Sequence, residues 1–553
     1  MTFPTRRHTL PLTAVLLGAF GFSASSQAQV PADVVLFAQP DILGDQFAFA
    51  LEGDGGAAIA YSNTALPVSQ GVSSGSVHII DLKNGRWDIS AAFGPTRPFP
   101  APPSINLYGR RLAISGEWAA TLATTNVPEG GLIYIYRRTD GIWSEFQVIE
   151  PGPVTQERFY FEIAMSDNRM VLSGVNTPLD IYEFDGSTWT HTAQIATPFG
   201  TVSEEQRYEP RLISFSGDRI LEVRSFNLSA GIGPAVYVYE DTGTTWEHID
   251  TVLAPTQALN AGFANRGAFG DGQWLGVTDT GADLSRPGRL QLFRWDDSLG
   301  RYRFHSILEA PDPISIGSPI SSNYFSFDVD IDGDRLIVGA PYQGSPNEFL
   351  FGAAYLFEYD AVADEWRLEQ EYRPPLVSGP FFGIANFGAT VALLEGAVLV
   401  GDPIAPINGI RCGAVYLYEQ ESGEPYCPGT PGLFGLPGQL RANGAPVAQT
   451  GEIRLEADFV PFGAPYIVLA STSAAQVPLP GGGAEFLCVG APRLATGGVR
   501  TTGNGLATIA FPAYEPPLDG VVPGDTVRFQ LWFRGSGGGQ PTGVTNALAV
   551  VFK

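Results

Sequence analysis

Phe325-Ser-Phe-Asp-Val-Asp-Ile-Asp-Gly-Asp-Arg-Leu-Ile-Val-Gly-Ala-Pro341 decides the reading of this chain. Phe325, Phe327, Val329 and Ile331 alternate with polar residues, the period of a half-buried strand. Gly333-Asp334 supplies a tight turn, and Arg335–Ala340 reads as a second strand. A Gly-rich loop follows, then Gly352-Ala-Ala-Tyr-Leu-Phe357, a polar turn and Trp366 opening a fourth strand.

The same pattern recurs seven times. The third-strand anchor falls at His78, Tyr134, Tyr182, Tyr237, Gln291, Tyr355 and Tyr416. The aromatic opening the fourth strand falls at Trp87, Trp143, Trp189, Trp246, Tyr302 and Trp366. The turn before the second strand recurs in register as Gly53-Asp54, Gly116-Glu117, Asp167-Asn168, Gly217-Asp218, Gly272-Gln273, Gly333-Asp334 and Glu395-Gly396. A four-stranded unit repeating about every 55 residues cannot bury both faces alone, so it must stack on its neighbours. The expectation is an all-β fold, a seven-bladed β-propeller over residues 29–424.

The seventh copy stops after Tyr418 and lacks a Trp with a fourth strand. Val34-Val35-Leu36-Phe37 is an orphan strand whose following Ala-Gln-Pro matches the ends of other fourth strands, such as Val252-Leu-Ala-Pro255. It is therefore expected to complete the last blade and latch the ring.

Two copies carry a family resemblance. Asn386-Phe387-Gly388-Ala389 and Val338-Gly339-Ala340-Pro341 resemble FG-GAP repeats, the blades of integrin-α-like propellers. The resemblance spans roughly residues 33–420; it is specific in the sixth and seventh copies and degenerate in the third and fifth. It implies a propeller scaffold and raises calcium as a cofactor.

Composition agrees with strands and excludes several classes. Gly 66 and Pro 44 make one residue in five of 553, too much punctuation for long helices. Hydrophobic residues at 44% exclude a disordered chain. The net charge is −25, and Lys83 and Lys553 are the only lysines. That balance offers no basic face to nucleic acid or to an anionic membrane. No run after the N-terminal region reaches the length of a membrane span.

Residues 1–28 read as a signal peptide: Arg6, Arg7 and His8, an apolar stretch from Leu10 to Phe22, and a small-x-small site at Ser26-Gln27-Ala28. The mature protein is expected to be secreted, periplasmic or at the cell surface. Past residue 424 the spacing changes. Runs such as Glu452–Ala457, Pro465–Leu469, Thr526–Phe533 and Ala547–Val551 predict a C-terminal β-sandwich domain over 425–553. Tyr426-Cys-Pro-Gly-Thr430 and Phe529-Gln-Leu-Trp-Phe-Arg534 are similar to a C-terminal module of large exported bacterial proteins, which implies no activity. Export makes a disulfide plausible. Cys427–Cys488 is favoured because both lie in this module, leaving Cys412 as a small buried hydrophobe.

Candidate chemistry is sparse. Asp328, Asp330 and Asp332 resemble the calcium loop of integrin-type blades, but Leu336 stands where that loop places its closing Asp. The competing reading has these acids presented to a wet central channel. His191, His248 and His305 occupy equivalent places on different copies and so cannot meet in one site, and His78 is expected to pack. Gly71-Val-Ser-Ser-Gly75 reads as a linker, and no nucleotide fingerprint follows a strand. The repeated Trp and Tyr residues are expected to form core between blades instead of carbohydrate platforms. No catalytic residue is assigned. The expected role is non-enzymatic binding or adhesion to an extracellular protein or glycan. Recognition would lie in the loops joining second and third strands: Ser62–Gly75, Thr124–Gly131, Asp279–Gly288 and Tyr342–Gly352. A glycan-binding lectin-like propeller is one alternative; a polysaccharide-acting hydrolase or lyase with channel carboxylates is another.

Overall fold

The computed structural model describes residues 34–36, 46–63, 75–83, 86–97, 107–124, 131–151, 159–175, 178–196, 213–224, 235–254, 263–279, 288–311, 324–343, 352–374, 386–407 and 410–419. Beyond these it describes 421–422, 424–427, 439–445, 452–458, 465–478, 486–490, 493–494, 500–501, 507–512, 518, 520–533 and 543–552. Residues 1–28 and the interiors of the four loops named above lie outside the described residues. The described chain is all strand and turn.

Between residues 34 and 419 the strands form seven four-stranded antiparallel sheets. The sixth is representative: Val329–Asp332, Arg335–Ala340, Ala353–Asp360 and Glu365–Tyr372 pair in sequence order. In the seventh, Thr390–Leu394, Ala397–Asp402 and Ala414–Glu419 are joined by Val34–Leu36 from the chain start. Val34 pairs with Leu417, Val35 with Tyr416 and Leu36 with Val415.

Strand alternation sends neighbouring residues to opposite interfaces. Ile79 packs with Tyr108 and Leu112 of the second sheet, while Ile80 packs with Leu399 and Leu417 of the seventh. Seven apolar clusters result, each drawn from two adjacent sheets, and one of them joins the seventh sheet to the first. The sheets therefore form the closed ring of a β-propeller. In sheets one to six the third and fourth strands slip register at an equivalent point, such as Ile79/Ile80, Ile135/Tyr136 and Leu356/Phe357. A bulge of this kind increases local twist, which turns the outer strand across its neighbours.

The close fit between blades rests on glycine. A Cβ on Gly352 would lie 2.0 Å from the Phe387 carbonyl oxygen, and one on Gly388 would lie 2.2 Å from that of Ala353. The two backbones touch in an isolated parallel bridge, Gly352 to Phe387. Both glycines hold positive φ, 83° and 85°. These are residues of the Phe-Gly and Gly-Ala-Ala-Tyr motifs of neighbouring copies.

The chain leaves the seventh sheet at Glu419 and enters two further sheets at once. Glu421–Ser422 joins Gln439–Ala445, Glu452–Asp458 and Ala507–Pro512. Glu424–Tyr426 joins Gly543–Val551, Thr526–Phe533, Pro465–Ser471 and Arg493–Leu494. Strand pairing thus begins at Glu421, a few residues before the sequence-read boundary. One apolar cluster includes Leu440, Leu455 and Ile509 from the first sheet with Val468, Phe529 and Leu548 from the second. Cys427 and Cys488 are disulfide-bonded, with Cα atoms 6.4 Å apart, and Cys412 is buried outside that disulfide. Gln530, fully buried, accepts from the Cys488 amide at 2.8 Å and donates to the Thr545 carbonyl at 2.9 Å.

Gly352→Ala should lose about 3 kcal/mol or more, because overpacking against Phe387 adds to a positive-φ cost of ~1–2 kcal/mol. Gly186→Ala, at φ 96° with nothing within 4 Å, should lose the φ cost alone. Urea unfolding of the two variants checks the difference.

Candidate functional site

The inner strands surround a central cavity of about 420 Å³ at the end where the first and second strands turn. Among the described residues its lining includes Glu52, Asp54, Glu162, Asp271, Asp330 and Asp332, and no Lys, Arg or His. Strand alternation places these acids there, since the opposite faces of the inner strands supply the apolar clusters.

Three of these acids, Asp54, Asp271 and Asp330, and Asp328 two residues before Asp330, each hold the neighbouring blade through one oxygen. Asp328 Oδ2 accepts the Val391 amide at 2.9 Å, and Asp330 Oδ2 accepts the Leu393 amide at 2.8 Å. Asp54 Oδ2 accepts the Gly116 amide at 2.8 Å, and Asp271 Oδ2 accepts the Gly333 amide at 2.9 Å. Serines serve the same joint elsewhere: Ser115 accepts from the Asp167 amide and Ser166 from the Gly217 amide. Between the seventh and first blades the Glu395 amide donates to the Gly55 carbonyl at 2.8 Å. Burial pushes the Asp271 carboxyl up, against the pull of the Trp274, Gln273 and Gly333 amides.

A second tether starts at the first residue of the second strand. Arg169 bonds the Gly217 carbonyl, Arg219 the Gly272 carbonyl and Arg335 the Leu394 carbonyl, each on the next blade. Trp118 occupies the same position and donates from Nε1 to Asn168 Oδ1 at 2.9 Å. Two of these arginines also stack on aromatic rings of the next blade, Arg169 on Phe215 and Arg219 on Trp295 at 3.6 Å.

The calcium candidates separate by environment. Asp328 is buried and Asp330 half-buried, each on a backbone amide, while Asp332 is exposed at the turn. Among the described residues no group of three or more His, Cys, Asp or Glu is arranged to hold a metal ion.

The histidines are dispersed and locally engaged. His191 meets Asp180 at 2.8 Å, His248 meets Thr251 at 2.9 Å, and His305 lies between Ser306 at 2.9 Å and Asp364 at 3.3 Å. His78 is 4% exposed and bonds Ser76 at 2.8 Å; burial lowers its pKa to about 4. Trp87, Trp143, Trp189, Tyr302 and Trp366 are buried between blades, and Trp246 is half-buried. Trp118 packs edge-on to Trp189 of the next blade at 5.2 Å, and Trp274 packs on Trp366 in the same way. Sequence reading did not find the Asp and Ser tethers. Their one visible signal is a short oxygen-bearing residue just before the turn in several copies.

Residues 320–357, most of the sixth blade, match the FG-GAP repeat. No curated protein matches the chain. Solved structures similar to it include the Pseudomonas aeruginosa periplasmic gluconolactonase PpgL, 16% identical over 58% of this chain and 84% of the other, TM-score 0.36. The Myceliophthora thermophila Cps50 (Swd1) β-propeller domain is 10% identical over 70% and 98%, TM-score 0.38. The N-terminal domain of Nup159 is 10% identical over 71% and 98%, TM-score 0.35.

Asp330→Ala should strand the Leu393 amide and cost about 1.5–3 kcal/mol, a hydrogen bond to a charged group. Adding calcium to the chelator-stripped wild type should leave its unfolding midpoint unmoved. Acid should act through His78. Its folded pKa is depressed, so its contribution is complete above 6.5 and is lost as pH falls toward 4. Asp402, pushed up to about 6 by burial, works in the opposite sense: its contribution is lost as pH rises from 3.8 through 6. Stability measured from pH 7 to pH 4 should therefore fall less steeply in His78→Gln than in wild type.

Proposed function

We propose that the protein is an exported, non-enzymatic binding or adhesion scaffold of the FG-GAP propeller type. Residues 1–28 form its signal peptide, 29–424 a seven-bladed propeller latched by the N-terminal strand, and 425–553 a β-sandwich domain. It works outside the cytoplasm, in the periplasm, at the cell surface or secreted, and meets an extracellular protein or glycan through the loops between second and third strands.

One observation carries this reading. Three of the channel acids and the adjoining Asp328, groups an enzyme would keep for chemistry, are spent on backbone amides of neighbouring blades. Asp54, Asp271, Asp328 and Asp330 each hold such an amide at 2.8–2.9 Å. A general acid or base needs a proton to exchange with substrate, and an oxygen fixed on a structural amide serves that purpose poorly. The cysteine pair agrees with an oxidising compartment. Among the described residues no helix is long and apolar enough to cross a membrane.

The test pairs a pull-down from the source cell envelope with a glycan array. The expected result is capture of a partner by wild type, lost when the loop between Ser62 and Gly75 or between Tyr342 and Gly352 is replaced by a Gly-Ser linker. Release of reducing ends from a polysaccharide by the purified protein would favour the hydrolase or lyase reading instead.

A further inference from the structure

The end of the ring opposite the acid-lined cavity carries a different chemistry. Phe49 stands at the start of the first inner strand and is 44% exposed, the side chain of a turn held in an unusual shape. Gln46 and Ala48 both take positive φ, 51° and 67°, which costs an L-residue about 1–2 kcal/mol each. Three bonds enforce it. The Phe47 amide donates to the Cys412 carbonyl at 3.0 Å, the Ala48 amide to Tyr61 at 2.9 Å, and Thr390 Oγ1 to the Ala48 carbonyl at 3.0 Å.

Arg110, from the next blade, places its guanidinium carbon 5.3 Å from the Phe49 ring centre. Gly109 makes this possible: at φ 89° it passes Tyr61, where a Cβ would lie 2.5 Å from the ring. The neighbouring arginine is used differently, since Arg111 reaches Glu162 on the third blade at 3.7 Å. Arg110 takes no hydrogen bond or ion pair from the described residues, and its Nε is buried without a partner. Three arginines at blade joints have an ion pair: Arg137 meets Glu117, Arg169 meets Asp218 and Asp241, and Arg219 meets Glu240. In a chain of net charge −25, a guanidinium with no ion pair over a 44% exposed phenyl ring stands apart from these three.

Among the described residues the turn recurs once, there with an arginine of the preceding blade instead of the next. Tyr324 and Ser326 take positive φ, 52° and 67°, and present Phe327 beneath Arg266 of the preceding blade at 4.0 Å. Tyr324 lies 6.1 Å from Phe327 and 4.9 Å from Tyr342.

Deepening the binding reading proposed above, on which it rests, we infer that Phe49 and Arg110 form a subsite for a ring-borne carboxylate. The apolar face of the ring packs on Phe49, and the carboxylate takes the outward N–H groups of Arg110. Such chemistry belongs to a uronic-acid unit of a polysaccharide or to a small aromatic acid. The open platform favours the polysaccharide. A small ligand needs enclosure to bind well, whereas a chain adds contacts from its neighbouring units.

Calorimetry of the full mature chain tests this with three probes: a galacturonate hexamer, a neutral galactose hexamer and benzoate. Galacturonate should bind, weaken as salt is raised, and exceed the neutral hexamer at least tenfold. Arg110→Gln and Phe49→Ala should each weaken it tenfold or more with unfolding midpoints unchanged, and Arg110→Lys should fall between Arg110→Gln and wild type. Equal binding of the two hexamers, or unaltered binding by both Arg110→Gln and Phe49→Ala, would overturn the inference. So would benzoate binding in the absence of hexamer binding. If wild type captures an envelope partner but no galacturonate, this subsite falls while the scaffold reading stands; if it captures neither, both fall.

Discussion

Neighbouring blades meet backbone to backbone at a glycine, and the rest of the ring is built around that approach. Gly75, Gly288, Gly352 and Gly413 each open toward the next blade. A Cβ on any of them would come within 2.8 Å of a backbone oxygen, of Tyr108, Phe325, Phe387 and Phe47 respectively. The last pair joins the seventh blade to the first. This contact sets the interblade spacing at the loop end. With that spacing fixed, Trp and Tyr fill the outer gap, and a side chain as short as serine spans the inner one.

Acidity then takes on a structural meaning. Among the described residues no Lys, Arg or His lines the cavity, and Glu162 of its wall meets a base from outside it, Arg111 of the preceding blade. Asp54, Asp271 and Asp330 are stabilised by amide dipoles of the following blade. Arginines work a layer farther out, where Arg169 and Arg219 stack on an aromatic ring and reach a turn carbonyl together. A lysine cannot do both, having neither the planar face nor the fork of donors. A chain with 32 basic side chains of which only two are lysines suits that demand.

Much of this frame is legible in the sequence, because alternation and turn residues report on pairing within a sheet. Trp366, Tyr355 and Gly333 mark their strands from the repeat alone, and Val34–Leu36 is marked by the missing fourth strand of the last copy. The links between blades are less legible for a physical reason. One geometric role is filled by Asp54, Ser115, Ser166 and Asp271, and another by Trp118, Arg169, Arg219 and Arg335. These sets share reach and a polar atom but no residue type, so no pattern of hydrophobicity exposes them. Arg110 is hidden in the same way. Only its lack of partners distinguishes it from Arg111, and partners are a property of the fold.

The latch also determines how the ring answers to mechanical load. Val34 lies opposite Leu417, close to Glu419, where the chain leaves for its C-terminal sheets. Both ends of the propeller therefore emerge at the same end of one antiparallel ladder. Force applied between them opens that ladder one pair at a time, as a zipper, and does not shear all its bonds at once. Among the described residues three pairs resist. A cell that tethers this protein at one terminus and pulls at the other would thus find the seventh blade yielding first, with the six unbroken sheets behind it still able to close again.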